Sequence, residues 1–215
     1  MLEQLPIFDS LDKKHLAQLE GITRQIVAKK GSIFFAPGDV TKGFYAVLDG
    51  AVRLYGISSR GKEITQRIVS APSTFAEASI FSDIYHCYAE ALKDSTVCLI
   101  RKDAFIQLIQ ENNRFAAAWI HILSLEIVRL CHRIEELSLK SPRERIASYL
   151  LLLSEIQNTP VIKLPVHRKS IATLLGMTHE TFYRTTKGLE NEMLVRFDKE
   201  RVEILNRPLL EEMIE

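Results

Sequence analysis

The chain has 215 residues, of which 47% are hydrophobic and 26% charged, with a formal net charge of +1. This length suits one large or two small domains, and the near-neutral balance excludes a generally basic, histone-like nucleic-acid binder. The sequence contains neither a run of 18 apolar residues nor a signal-peptide pattern, so we expect a soluble cytoplasmic protein with no membrane partner. Its three scattered cysteines, Cys87, Cys98 and Cys131, fit neither a disulfide framework nor a paired-cysteine metal site.

Short elements fill the first hundred residues. A short amphipathic helix is predicted over Leu11–Glu20, with Ser10 as its N-cap. Between Arg24 and about Ile100, short β patterns alternate with glycine-containing turns; the predicted strands are Ser32–Phe35, Phe44–Leu48, Val52–Ile57, Ile64–Val69 and Thr96–Ile100. Strands this short, with turn signals between them, predict an antiparallel roll or barrel.

A long helix is predicted next, over roughly Arg114–Leu139. Its apolar residues alternate at spacings of four and three, which places isoleucine at each heptad a position (Ile120, Ile127, Ile134) and leucine at each d position (Leu123, Leu130, Leu137). This pattern favours a parallel two-stranded coiled coil, and therefore a homodimer. The alternative is a helix packed only on its own domain, which usually shows a wider and less regular stripe.

The segment Ser141-Pro142-Arg143-Glu144 marks a new helix, because serine is a good N-cap, proline suits the first helical position and Glu144 completes a capping box. We expect a hinge between domains near Leu139–Pro142, since the residue before proline avoids the helical conformation. The predicted elements that follow are a helix through Ile146–Ile156, a strand at Val161–Leu164 and, near the end, a hairpin of Leu194–Phe197 and Val202–Leu205.

The stretch Val166–Leu189 reads as a helix-turn-helix. Two short helical patterns flank Gly176, a residue that can adopt the left-handed conformation of a sharp turn. The second helix would expose Thr178, His179, Glu180, Tyr183 and Arg184 near its start. A helix held in this way can enter the major groove of DNA and present these residues to base edges.

Positive charge is concentrated in this motif. Residues 163–187 contain five Lys or Arg and one acid, whereas residues 141–215 as a whole contain eleven of each. Local positive charge is what phosphate contact requires, so the motif predicts DNA binding. The alternative is an ordinary helical hairpin within a core.

The order of these elements resembles the cyclic-AMP receptor/fumarate–nitrate regulator superfamily of bacterial transcription factors. The motifs that carry the resemblance are Pro37-Gly38-Asp39, the FYxVxxGxVRLY pattern at Phe44–Tyr55, and LLGMTHETFYR at Leu174–Arg184. The resemblance implies an α+β fold with an effector-sensing β-roll (1–112), a dimerisation helix (113–140) and a winged helix-turn-helix (141–215). It also implies a homodimer on a pseudo-palindromic operator, with RNA polymerase as a further partner.

Glu180 and Arg184 match the positions at which this family places its base-reading acid and arginine. A glutamate accepts a hydrogen bond from cytosine N4, and an arginine donates two to guanine, so we expect TGA-like half-sites one helical turn apart. His179 stands at the variable family position that helps to choose the outer base. Arg168 and Lys169, at the start of the first helix, are predicted phosphate contacts.

The effector segment departs from the cyclic-nucleotide binders, which carry G-E-x-G followed later by R-S/T-A. Here the cradle segment, Thr74–Phe81, reads TFAEASIF, and Cys87-Tyr88 replaces the Arg-Ser pair, so only Glu77 is retained. On the long helix, Leu130-Cys131 replaces the hydroxyl residues that would read the purine. With no cation evident for a phosphate, we expect cyclic AMP not to be the effector.

The iron–sulfur branch requires clustered thiolates, and residues 1–30 contain no cysteine. The cradle segment, RIEELSLK at Arg133–Lys140 and HETFYR at His179–Arg184 resemble instead the dissimilatory nitrate respiration regulators. That resemblance implies nitric oxide sensing through haem b, with His86 as the candidate iron ligand and His121 or His132 as a possible second one. The predicted effector pocket comprises Glu77, His86, Cys87, Tyr88, Leu130 and Cys131.

Two alternatives stay open at this point. The same DNA-binding regulator could respond to an organic small molecule or to no effector, its pocket being filled by side chains. The chain could also be a nucleotide-dependent enzyme or enzyme subunit built on the roll. The sequence lacks a nucleophile–base pair, usefully spaced carboxylates and a metal-ligand cluster, so we expect a protein that is not an enzyme.

Overall fold

The computed structural model describes residues 2–9 and 11–214, which form two compact units, residues 1–128 and residues 129–215. The first unit contains helix α1 (Lys13–Ile22), eight strands, helix α2 (Lys102–Glu111) and most of helix α3 (Asn113–Leu139). Ser10, the predicted N-cap of the first helix, lies outside the described residues. Asp12 caps α1 in the structure, because its carboxylate accepts a hydrogen bond from the backbone N–H of His15.

The predicted antiparallel roll is confirmed. Its strands are β1 (Arg24–Ala28), β2 (Ile33–Phe35), β3 (Gly43–Asp49), β4 (Ala51–Ile57), β5 (Glu63–Ser70), β6 (Ser73–Phe75), β7 (Tyr88–Ala91) and β8 (Ser95–Arg101). They form two four-stranded sheets, in the orders β1-β8-β3-β6 and β2-β7-β4-β5. Aromatic rings fill the space between the sheets: Phe35 stacks on Tyr85 with centroids 3.8 Å apart, and Tyr45 stacks on Phe75 at 5.0 Å.

Helices α2 and α3 pack on the sheet that contains β3 and form a second apolar cluster with it. Phe105 of α2 and Phe115 and Trp119 of α3 are buried against Phe44 of β3. Leu123 is half-buried on the same cluster. The first part of α3 is therefore anchored to the roll by aromatic packing, which is worth more than its contact area alone.

Further along α3, large apolar side chains are exposed. Ile120, Ile127 and Ile134, the predicted a positions, are 63%, 61% and 64% exposed, and Leu130 is 48% exposed. By length and composition alone α3 also meets the criteria for a membrane-crossing helix, with 11% of the qualifying window buried. However, His121, Glu126 and Arg129 interrupt its surface, and a helix surrounded by lipid seldom carries such residues.

The second unit contains the end of α3 and a winged helix-turn-helix, as predicted. Its elements are α4 (Pro142–Gln157), β9 (Val161–Lys163), α5 (Arg168–Leu174), α6 (His179–Asn191), β10 (Val195–Asp198), β11 (Arg201–Ile204) and α7 (Arg207–Glu212). The strands form one antiparallel sheet in the order β10-β11-β9. The capping box at Ser141 and Glu144 is confirmed, with both of its hydrogen bonds present.

The division between the units lies inside α3, between Val128 and Arg129. The predicted dimerisation segment, 113–140, is thus shared between the two units. Leu137, a predicted d position, is half-buried and lies against Gly176 in the turn between α5 and α6. The last turns of α3 therefore belong to the same packed body as the helix-turn-helix.

We predict that Gly176→Ala destabilises the second unit by about 1–3 kcal/mol. Gly176 has a φ of +66°, and an added Cβ would lie 2.5 Å from Cδ2 of Leu137. Gly188→Ala is the matched control: a Cβ there meets nothing within 4 Å, so removing glycine from the middle of α6 should stabilise by about 0.5–1 kcal/mol. Chemical unfolding measures both variants, and equal effects at the two positions would contradict the account of the turn.

Candidate nucleic-acid interface and effector segment

Helix α6 is held with one face inward and the other in solvent. Phe182, Thr186 and Leu189 are buried on its inner face. The helix begins after Thr178, whose hydroxyl accepts a hydrogen bond from the backbone N–H of Thr181 at 3.1 Å. In the turn before it, Arg145 of α4 donates a hydrogen bond to the carbonyl of Leu175 at 2.9 Å. Capping and this anchor fix where α6 starts and which residues it exposes.

All five residues predicted to be exposed on α6 are exposed in the structure: Thr178, His179, Glu180, Tyr183 and Arg184. Glu180 and Arg184 lie one turn apart on the same face. Within the described chain, no ion pair joins them to each other or to another side chain. Their acceptor and donor groups are thus available for an external ligand such as a base edge.

Arg168, a predicted phosphate contact, already has partners within the protein. Its guanidinium lies 4.9 Å from the centre of the Phe197 ring, and its Nη2 donates a hydrogen bond to the carbonyl of Lys199 at 2.9 Å. These contacts tie the start of α5 to the β10–β11 hairpin, so Arg168 positions the wing. The sequence indicated the charge of Arg168 but could not indicate this packing, which depends on where the hairpin folds back.

Lys169, the other predicted phosphate contact, is exposed beside Arg168. An open cavity of about 530 Å³ separates the starts of α5 and α6 from the wing, and His167, Lys169, His179 and Lys199 are among its lining residues. The cavity also contains Glu200. A concave, mostly basic surface next to an exposed helix start is suited to a phosphate backbone.

The cradle segment is built around a buried carboxylate. Glu77 is 8% exposed and begins a 3-10 helix, Glu77–Phe81. Its Oε1 accepts a hydrogen bond from the Thr74 hydroxyl at 2.5 Å. Ala76, immediately before it, adopts the left-handed conformation with a φ of +66°, which costs a residue with a Cβ about 1–2 kcal/mol. Ala76 thus stands where the cyclic-nucleotide binders carry glycine, but the backbone keeps the left-handed conformation that glycine favours.

The structure places the guanidinium of Arg67 beside the cradle segment, where no cation was expected from the sequence. Arg67 of β5 lies with Nη1 3.6 Å from Oε1 of Glu77 and Nη2 3.4 Å from Oε1 of Glu126 on α3. The expectation that the cradle lacks a counter-charge was wrong, because the arginine comes from β5, outside the cradle segment, and only the folded sheet brings it to Glu77. Strand periodicity was the available signal: Thr65, Arg67 and Val69 alternate on the inner face of β5.

The other predicted pocket residues lie in different surroundings. His86 is exposed, and its Nε2 is 2.9 Å from the Ser82 hydroxyl. Tyr88 stacks on Tyr55 with centroids 5.0 Å apart, and burial raises the pKa of the Cys87 thiol. Leu130 and Cys131 are exposed residues of the second unit.

These surroundings do not fit haem. A haem ligand needs an apolar slot around the iron, but the imidazole of His86 stands in solvent. The interior beside its neighbour Tyr85 is filled by the ring of Phe35. The described residues around His86 therefore form no haem slot in this conformation, and they contain no group of three or more His, Cys, Asp or Glu suited to a metal ion.

Known proteins match both parts of the chain. Residues 25–112 match the family described as a cyclic nucleotide-binding domain, and residues 144–213 match the Crp-like helix-turn-helix domain. The probable transcriptional regulator flp of Lacticaseibacillus casei is 26% identical over 209 residues, which cover 97% of this chain and 95% of that protein.

The nitrogen fixation regulation protein FixK of Bradyrhizobium diazoefficiens is 29% identical over 191 residues, covering 86% of this chain and 79% of the relative. Among solved structures, FixK2 from Bradyrhizobium japonicum superposes with a TM-score of 0.81 at 21% identity, over 90% of this chain and 98% of that one. This last likeness supports the fold.

We predict that Arg184→Ala removes sequence discrimination but leaves weak, salt-sensitive binding to any duplex. The lost bidentate contact is worth about 1–3 kcal/mol, or roughly 5- to 150-fold in affinity for the preferred site. Arg60→Ala is the matched control, since it removes the same charge from the exposed β4–β5 turn of the other unit. Fluorescence anisotropy with specific and scrambled duplexes measures both, and undiminished specificity in Arg184→Ala would exclude α6 as the reading helix.

Proposed function

We propose that the chain is a CRP/FNR-type DNA-binding transcription regulator that binds a pseudo-palindromic operator as a homodimer, with α6 of each subunit reading one half-site. The observation that carries this proposal is that Glu180 and Arg184 are exposed on a capped helix and form no ion pair within the described part of the chain. An acid and an arginine on one helical face fit cytosine and guanine in the major groove. The family resemblance adds the expectation of a TGA-like half-site.

In this proposal, the residues that contact the DNA phosphates lie on the surface around α6. Lys169 and Lys199 line the cavity between the helix starts and the wing, and both are exposed. Arg168 contributes through the wing that it holds in place. Backbone contacts of this kind set the register of the protein on the duplex, while the base edges are read by α6.

The exposed stripe of α3 supports the homodimer. Ile120, Ile127, Leu130 and Ile134 are all about half exposed or more, and covering such side chains is worth about 1.5–3 kcal/mol each. The seam uses these four residues, whereas Leu123 and Leu137 also pack within their own units. A second copy of the helix presents the same stripe, so a two-fold seam buries both. RNA polymerase as a partner stays a prediction from the family resemblance, and a cytoplasmic location stays a prediction from the sequence.

We predict that Ile127→Asp combined with Leu130→Asp yields monomers at micromolar concentration, because each dimer loses four buried apolar side chains and gains four buried charges. These monomers should bind the operator poorly. Leu152→Asp is the control, since Leu152 is a 52% exposed leucine on α4, outside the seam. Light scattering decides the result, and a double variant that still dimerises would place the seam elsewhere.

Two candidate effectors are each supported by a different observation. The resemblance of the cradle segment to the nitrate respiration regulators favours nitric oxide sensing through haem b, whereas the exposure of His86 favours an organic effector or none. An anaerobic absorption spectrum with one equivalent of haem separates these candidates. A sharp Soret band that shifts with nitric oxide and is lost in His86→Ala would support haem; a spectrum like that of free haem would reject it.

A further inference from the structure

We propose that Arg67 is a coupling residue that joins the cradle segment to α3. Through Arg67, side chains of the first unit link the sensing roll to the dimerisation helix. This inference rests on the proposed function, in which α3 carries the dimer seam. It concerns only residues of the first unit, since Arg67, Glu77 and Glu126 all lie before residue 129.

The three residues form a charged group shielded from water. The side chains of Arg67, Glu77 and Glu126 are 19%, 10% and 28% exposed, and the arginine lies within 3.6 Å of both carboxylates. Charge pairs shielded to this degree interact more strongly than pairs on the open surface. Because Arg67 faces both carboxylates, removing one member of the group changes the charge balance around the other two, so the three side chains are expected to move together.

The group connects three elements through side chains: the 3-10 helix of the cradle segment, β5 and α3. Glu77 starts the 3-10 helix of the cradle, Arg67 projects inward from β5, and Glu126 lies on α3 directly before the exposed Ile127. The left-handed Ala76 keeps Glu77 in this position at a cost in backbone energy. A strained residue persists only where its surroundings hold it, and the bonds of Glu77 to Thr74 and Arg67 do so here.

The charge of the group also bears on the ligand. One arginine faces two carboxylates, so its guanidinium is already engaged. An anionic ligand such as a cyclic nucleotide would have to displace a carboxylate that is covalently held nearby. The cradle therefore selects against anions, and the arginine stabilises the contact with α3 instead of a phosphate.

The test is hydrogen exchange of the full-length protein without DNA, which makes it independent of the proposed function. Glu126→Gln keeps the Arg67–Glu77 pair but removes the charge on α3. We expect exchange to rise about 3- to 10-fold in the cradle segment, which contains no altered residue, as well as in the part of α3 around residue 126. Asp94→Asn is the control, because it breaks an exposed ion pair with Lys29 in the same unit.

A double-mutant cycle with Arg67→Met then shows whether the effect passes through the arginine, since Glu126 has other interactions as well. Non-additive exchange in the cradle segment, and partial recovery in Arg67→Lys, are the expected results. If Arg67→Met does not fold, Glu126→Gln alone decides the matter. Unchanged cradle exchange in Glu126→Gln, or additive effects in the cycle, would overturn the proposal and leave the DNA-binding function standing.

Discussion

The left-handed turn at Gly176 is the constraint on which the DNA-facing surface depends. Only glycine accommodates both its φ of +66° and the side chain of Leu137 next to it. Arg145 fixes the carbonyl of Leu175 immediately before the turn, and Thr178 caps α6 immediately after it. The direction of α6, and therefore the exposure of Glu180 and Arg184, follows from these few contacts.

The same contacts join α6 to the end of α3. Leu137 lies on α3 and touches the turn, and Arg145 lies on α4, which starts at the capped Ser141. The last turns of α3, the start of α4 and the turn before α6 therefore pack together within the second unit. Within the first unit, Phe115 and Trp119 near the start of α3 pack on the roll, and Glu126 in its middle faces Arg67 of β5.

Much of this arrangement could be predicted from the sequence, because it rests on local patterns. Short β patterns between glycine-containing turns predicted five of the eight roll strands, and the SPRE segment predicted the start of α4. The helical periodicity around Gly176 predicted which α6 side chains are exposed. Three strands were missed: β1, and the short β6 and β7, in which three or four residues carry too little pattern. Helices α2 and α7 were missed as separate helices.

What the sequence could not provide was the partner of each charged residue. Arg67 is ten residues from Glu77 and far from Glu126, so only the folded sheet brings the three together. Arg168 likewise needed the position of Phe197 before its role in holding the wing became visible. The exposure of His86 depends on the dense ring packing behind Tyr85, which no pattern of residues near position 86 reveals.

Selection of binding sites from a pool of randomised duplexes with the full-length protein tests whether α6 reads a specific operator as one half of a dimer. We expect enrichment of a pseudo-palindrome whose TGA-containing half-sites lie one helical turn apart. Enrichment of no common sequence, or of a single half-site without its symmetric mate, would show that α6 does not act in this way.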